Sequence, residues 1–162
     1  SEVDRSIHYE AKLEGARLKA RVTVLYNHHG QFDWKTTRYR TYTRVYVPLG
    51  SELIGSNGFI ENDKIRSKGK IESTPAKVGE ELGKTVFGGF IAVEPGEQGT
   101  LTLEYYLPEK ITQQADSGLY TLFVQKQLGT AAPKLTVDAD FGKTVKQDVW
   151  HKETDLREDR SF

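Results

Sequence analysis

Apolar and polar side chains alternate along almost the whole of this chain, and a rhythm of two admits few folds. The run "SIHYEAKL" places Ile7, Tyr9, Ala11 and Leu13 on one side and His8, Glu10 and Lys12 on the other. After the turn signal Glu14-Gly15, "ARLKARVTVLY" sets Leu18, Ala20, Val22 and Val24 against Arg17, Lys19, Arg21 and Thr23. Successive side chains of an extended strand point to opposite faces, so each run reads as a ribbon with one apolar side. Together they predict a β-hairpin. A surface helix needs apolar residues three and four apart, and that spacing is hard to find here.

The rhythm continues. Arg38 to Val47 predicts a third strand, stopped by Pro48, which cannot donate to a ladder. "SELIGSNGF" is short and broken by glycine, and Glu61 to Lys84 is polar enough to hold one or two edge strands around a loop. "GKTVFGGFIAVEPGEQGTLTLEYYLP" reads as a second hairpin, turning at Pro95, Gly96 and Gly99, with Leu101, Leu103, Tyr105 and Leu107 on one face. Its Gly88-Gly89 pair points to a bulge or a close backbone approach. "LYTLFVQKQL" and "KLTVDADF" add strands, and "KTVKQDVW" a last short one. Roughly nine strands punctuated by Gly and Pro predict an all-β domain. The expected architecture is a two-sheet antiparallel β-sandwich, immunoglobulin-like or of related Greek-key topology, over residues 1–150. Residues 151–162, "HKETDLREDRSF", are too charged to bury much surface and are expected to form a frayed C-terminal tail.

Composition excludes several function classes. The 23 Lys and Arg balance 23 Asp and Glu, so no global field draws the chain to nucleic acid or anionic lipid. With no cysteine there is no disulfide, thiolate metal site or thiol nucleophile, while the compartment is left open. The longest apolar run, Val86 to Val93, is far shorter than the about 20 residues of a membrane-spanning helix. A chain that begins at Ser1 and contains no methionine is expected to be a processed product or an excised piece of a longer protein, with any anchor upstream.

Candidate chemistry is sparse. In "RYRTYTRVYVP" a stripe of Arg40, Tyr42, Arg44 and Tyr46 falls on one strand face, close in sequence to Trp34. Arginine offers a rigid fork of donors and tyrosine a flat stacking surface, which suits an anionic glycan, a phosphate polymer or an acidic protein. The competing expectation is ordinary cross-strand pairing with the acids of Glu94 to Asp116. His28-His29 with Asp33 is the one cluster resembling a metal site, yet adjacent strand residues face apart, and zinc wants three or four ligands. His8 and His151 are isolated in sequence. "DADFG" spaces two carboxylates on one strand face, as the wet side opposite Leu135, Val137, Ala139 and Phe141. Glu80-Glu81 and the group Asp155, Glu158 and Asp159 lie in exposed, charge-rich segments with nothing to raise a pKa. No nucleophile elbow or phosphate-binding glycine loop is present. The sequence therefore assigns no catalytic residue, cofactor or metal.

The runs Tyr39–Ser51 (Y-R-x-Y-x-R-V-Y-V-P-x-G-S), Val86–Phe90 (V-F-G-x-F), Val93–Gly96, the Y-x-L-P around Tyr105, and Val124–Gly129 (V-Q-K-Q-x-G) carry a likeness in order and spacing. They resemble the C-terminal β-rich region of an uncharacterised group of large bacterial cell-envelope proteins that have an N-terminal transmembrane segment. The resemblance implies an extracytoplasmic, membrane-tethered parent and brings no catalytic residues. The expected role is a non-enzymatic structural or interaction module of a cell-surface protein, its partner another envelope protein or a neighbouring domain of the same chain. The alternative is a carbohydrate-binding module for cell-wall or capsular glycan.

Overall fold

Alternation becomes strand wherever one side of a ribbon finds an apolar layer to cover. The structure, a computed structural model, describes residues 2–31, 33–34, 36, 38–61, 72–116, 123–124, 134–140, 149–155 and 160–161. Strands β1 (Val3–Glu14) and β2 (Arg17–His28) pair antiparallel over their full lengths, from Val3↔His28 to Glu14↔Arg17. The two-residue turn between them has a positive φ only at Gly15, +61°, the primed-turn pattern that matches strand twist. Tyr9, Ala11, Leu18, Ala20, Val22 and Val24 are buried as their spacing predicts, with Ile7 and Leu13 half-buried against them.

Seven further strands and a short helix complete two sheets. These are β3 (Tyr39–Val47), β4 (Glu52–Asn57), β5 (Lys77–Glu81), β6 (Lys84–Val93), β7 (Gln98–Tyr106), helix α1 (Glu109–Asp116), then, beyond the dipeptide strand β8 (Phe123–Val124), β9 (Lys134–Asp140) and β10 (Val149–Asp155). The larger sheet runs β10-β9-β1-β2-β7-β4 and the smaller β3-β6-β5; β8 pairs separately with β11 (Arg160–Ser161). The two main sheets face each other across one core, in which Tyr26, Phe59, Phe87, Leu101, Leu103, Leu135 and Val137 are almost fully enclosed. Burying each such side chain contributes about 1.5–3 kcal/mol, which is why the apolar set of every strand turns inward. The Tyr26 hydroxyl shares a 3.1 Å hydrogen bond with Thr43 Oγ1, and burial pushes its pKa up from 10.0.

The all-β sandwich is as the sequence predicts, with three differences in how its strands connect. First, β6 and β7 are not a hairpin. β6 pairs with β3 and β5 in one sheet, β7 with β2 and β4 in the other, so the Pro95-Gly96 turn carries the chain between layers. The turn is tied to the end of β2 instead: Gly96 N donates to His28 O, and His28 N to Glu97 O. Second, β1 pairs with β9 in parallel, Ser6↔Lys134 to Lys12↔Asp140, inside an otherwise antiparallel sheet. Third, the expected tail contributes structure. His151 to Asp155 continue β10 along β9, because pairing needs backbone groups on an open sheet edge rather than apolar side chains.

Gly88 and Gly89 lie in unbroken register with Arg44 and Thr43, so they form no bulge. They make room for rings. A Cβ on Gly89 would stand 2.4 Å from the buried Phe59 ring, and one on Gly88 2.9 Å from Tyr42 on the opposite face. Helix α1 is an element the rhythm of two does not reveal. It follows Pro108, whose carbonyl accepts from Ile111 and Thr112, and the buried Thr112 hydroxyl accepts from Leu18 N. Of the expected strand "LYTLFVQKQL" only β8 falls within the described residues, and 62–71 and 141–148 lie outside them.

Candidate functional site on the outer sheet faces

With the inner faces committed to the core, the described strands offer their outer faces and rims for chemistry. On the smaller sheet, β3 is an edge strand and its even-numbered residues point outward. Register places Arg40 opposite Ala92, Tyr42 opposite Phe90, Arg44 opposite Gly88 and Tyr46 opposite Val86. None of these four direct register partners on β6 is acidic. Of the acids expected to pair with the stripe, Glu94 pairs with Arg38, just outside the stripe, and Glu104 lies on the other sheet with Arg21.

The stripe organises itself through rings. The Tyr42 ring meets Phe90 edge-on, centroids 4.9 Å apart, and the Arg44 guanidinium sits 4.7 Å over the Tyr42 ring. Such a cation–π contact contributes about 0.5–1 kcal/mol at an exposed site and favours the guanidinium lying over the ring. Arg44 forms no ion pair among the described residues. Tyr46 is 41% exposed and Trp34 87% exposed, both high for large aromatic side chains. The outer face of β3-β6 is thus an aromatic and aliphatic floor bearing two arginines.

The larger sheet presents the opposite character. Its outward residues alternate in sign: Arg21 pairs with Glu104, Lys19 lies 3.4 Å from Glu14 and 3.6 Å from Glu104, and Arg17 3.1 Å from Glu52. The Arg21 guanidinium, by hydrogen bonding, holds the Glu104 carboxyl below its ordinary 4.5, and a hydrogen bond to Glu14, with the charge of Glu104, raises the Lys19 pKa. An open groove of about 470 Å³ crosses this face, lined among others by Glu10, Lys12, Lys19, Arg21, Asp138 and Asp140. At its side His8 Nε2 stands 2.9 Å from Asp138 Oδ2 and 3.4 Å from Glu10 Oε1. His8, isolated in sequence, thereby gains two carboxylate neighbours. Glu10 shares the outer face of β1 with His8 by its spacing of two, whereas Asp138 is brought in by the parallel β1–β9 pairing, which no local spacing foretells.

The histidine pair divides at the end of β2, whose last residue is His28. His28 is buried and its Nδ1 accepts from Gly30 N, while His29 is exposed and contacts Asp4 at 2.8 Å. Asp33 accepts from Thr36 N at 2.7 Å and belongs to a turn. Asp138 and Asp140 take the outward face of β9 opposite buried Leu135, Val137 and Ala139, as expected.

No protein-family model and no curated protein matches the sequence. Among solved structures, the chain is similar to native leukotriene A4 hydrolase from Saccharomyces cerevisiae, with 11% identity and a TM-score of 0.39, covering 93% of this chain and 26% of that one. It is also similar to a mutant M1 zinc metallopeptidase from Deinococcus radiodurans bound to a Tyr-Ser-Ala substrate, with 12% identity and a TM-score of 0.34, covering 96% and 39%. The chain thus spans well under half of either protein, and a likeness this weak carries no functional argument.

Proposed function

We propose that this chain is a non-catalytic interaction module of a bacterial cell-surface protein, docking another envelope component through the outer face of β3 and β6. One observation supports it above the rest: Arg40, Tyr42, Arg44 and Tyr46 face outward opposite Ala92, Phe90, Gly88 and Val86 rather than opposite acids. On the larger sheet, by contrast, Arg21 has the acidic cross-strand partner Glu104. An aromatic floor bearing arginines is the composition of interface centres, where Tyr and Arg anchors dominate binding. The partner surface is acidic and partly apolar, on a neighbouring domain of the same chain or on another envelope protein. The extracytoplasmic setting rests on the sequence resemblance.

Glycan binding is the second reading, favoured by the exposure of Trp34. A sugar platform needs rings lying flat to solvent, whereas Tyr42 and Phe90 meet at 88° with Arg44 over the tyrosine. The test is a photoreactive side chain at position 46, or at 102 on the other sheet, in the full-length parent on cells. The proposal expects a discrete protein adduct from 46 alone, lost with Arg44→Glu. Equal labelling from both positions, or none, refutes it. Retention on cell-wall polysaccharide that vanishes with Trp34→Ala would transfer the case to glycan.

A further inference from the structure

The groove side of the larger sheet holds a constellation that surface charge pairing does not explain. His8 and Glu10 are two apart on β1 and therefore share its outer face, while Glu10 and Asp138 are direct partners in the parallel β1–β9 register. One nitrogen and two carboxylate oxygens thus converge from two adjacent strands, all within 4.8 Å of one another. The His8 ring is 40% exposed, yet its Nε2 atom is walled in by the two carboxylates and has no hydrogen bond. At 2.9 Å the contact with Asp138 has the length of a hydrogen bond without its alignment, so a proton on Nε2 is poorly used there. A cation seated between the three atoms would satisfy all of them.

We infer that His8, Glu10 and Asp138 form a binding site for a divalent transition metal of the zinc class. Ligand atoms about 2.0–2.2 Å from a tetrahedral zinc lie about 3.4 Å from each other. The His8–Glu10 separation of 3.4 Å already meets this, and the His8–Asp138 contact opens by roughly 0.5 Å from 2.9 Å, within reach of side-chain rotation. Imidazole with two carboxylates suits zinc, manganese or cobalt. Calcium, which takes six to eight oxygens, is excluded by the donor set. Because Glu10 and Asp138 also line the groove, the remaining coordination positions open onto it. The bound metal would clip β9 to β1, the one parallel seam among the described strands.

The experiment is calorimetric titration of the tag-free chain with Zn²⁺ at neutral pH, repeated with Ca²⁺ and with Mg²⁺. The expected result is one Zn²⁺ per chain with a dissociation constant of about 10 μM or tighter, and no saturable uptake of the other two. His8→Gln and Asp138→Asn should each weaken binding at least about tenfold. His29→Gln, which removes the other exposed histidine–aspartate contact, should leave it unchanged. Co²⁺ tests the same site without any variant: a visible absorption band should grow to one equivalent and be displaced by Zn²⁺. No saturable Zn²⁺ binding below about 1 mM, wild-type affinity in the His8 variant, or a colourless Co²⁺ complex would each overturn the assignment.

Discussion

Replacing Gly89 by alanine should damage this protein although the change adds a single methyl group. Gly89 lies in the middle of β6 facing the core, and the new Cβ would fall 2.4 Å from Phe59 Cδ1, 2.8 Å from Cγ and 3.1 Å from Cε1. That is roughly 1 Å inside ordinary carbon–carbon contact, so the ring or the strand must give way. Phe59 is 0% exposed and has no solvent side to move toward. Overpacking of this kind costs about 1–3 kcal/mol. The lower unfolded-state entropy of alanine returns about 0.4–1 kcal/mol, leaving a loss of about 1–2 kcal/mol. For a domain of this size the midpoint of thermal unfolding should fall by about 2–8 °C. Gly55→Ala is the matched control, because nothing lies within 4 Å of a Cβ there. Phe59→Leu should relieve part of the clash, so the double variant should be less destabilised than the two singles added together, by at least about 0.5 kcal/mol. A Gly89→Ala protein that melts at or above the wild type, or strict additivity with Phe59→Leu, would refute the packing argument.

Three further outcomes follow from the same geometry. Leu82 has φ +55° and is 83% exposed in the two-residue turn between β5 and β6, where Gly83 is also positive. Asparagine tolerates that backbone, so Leu82→Asn should raise stability by about 0.5–1 kcal/mol in thermal unfolding; a lower midpoint would count against the strain. Glu104→Gln removes the Arg21 pair and should cost about 0.2–1 kcal/mol at neutral pH in denaturant titrations. Because the folded carboxyl titrates below 4.5, its contribution is complete above that value and disappears as pH falls through the folded-state pKa. The gap between wild type and variant should therefore close in acid, and a gap unchanged between neutral and strongly acid solution would contradict the assigned pair.

Much of the architecture was legible because strand burial is a local, period-two property. Leu18, Ala20, Val22 and Val24 turn inward in the structure as their spacing requires, and so do Leu101, Leu103 and Tyr105. Connection is not local. An alternating run, a Pro-Gly turn and a second alternating run describe equally a hairpin and a chain that crosses between sheets. In β6 and β7 the crossing is realised, since each strand is paired on both sides by others. The parallel seam of β1 and β9 was likewise hidden, because over a hundred residues of sequence separate its strands. That seam assembles His8 with Asp138, which explains why the cluster escapes a reading of motif spacing. Helix α1 left a fainter trace, a proline and an acid before "KITQQ", too short for helical periodicity to emerge from the strand signal. For the Arg/Tyr stripe, alternation gave the outward face of Arg40, Tyr42, Arg44 and Tyr46, but only the register could identify their neighbours.

The docking role of that stripe is tested most directly by radical footprinting of tyrosines, in the isolated chain and in the full-length parent within its cell envelope. Tyr46 on β3 should be oxidised readily in the isolated chain and several-fold less in the envelope, whereas half-buried Tyr106 on the outer face of the larger sheet should react alike in both. Equal labelling of Tyr46 in the two settings, or protection that falls on Tyr106 instead, would contradict the account.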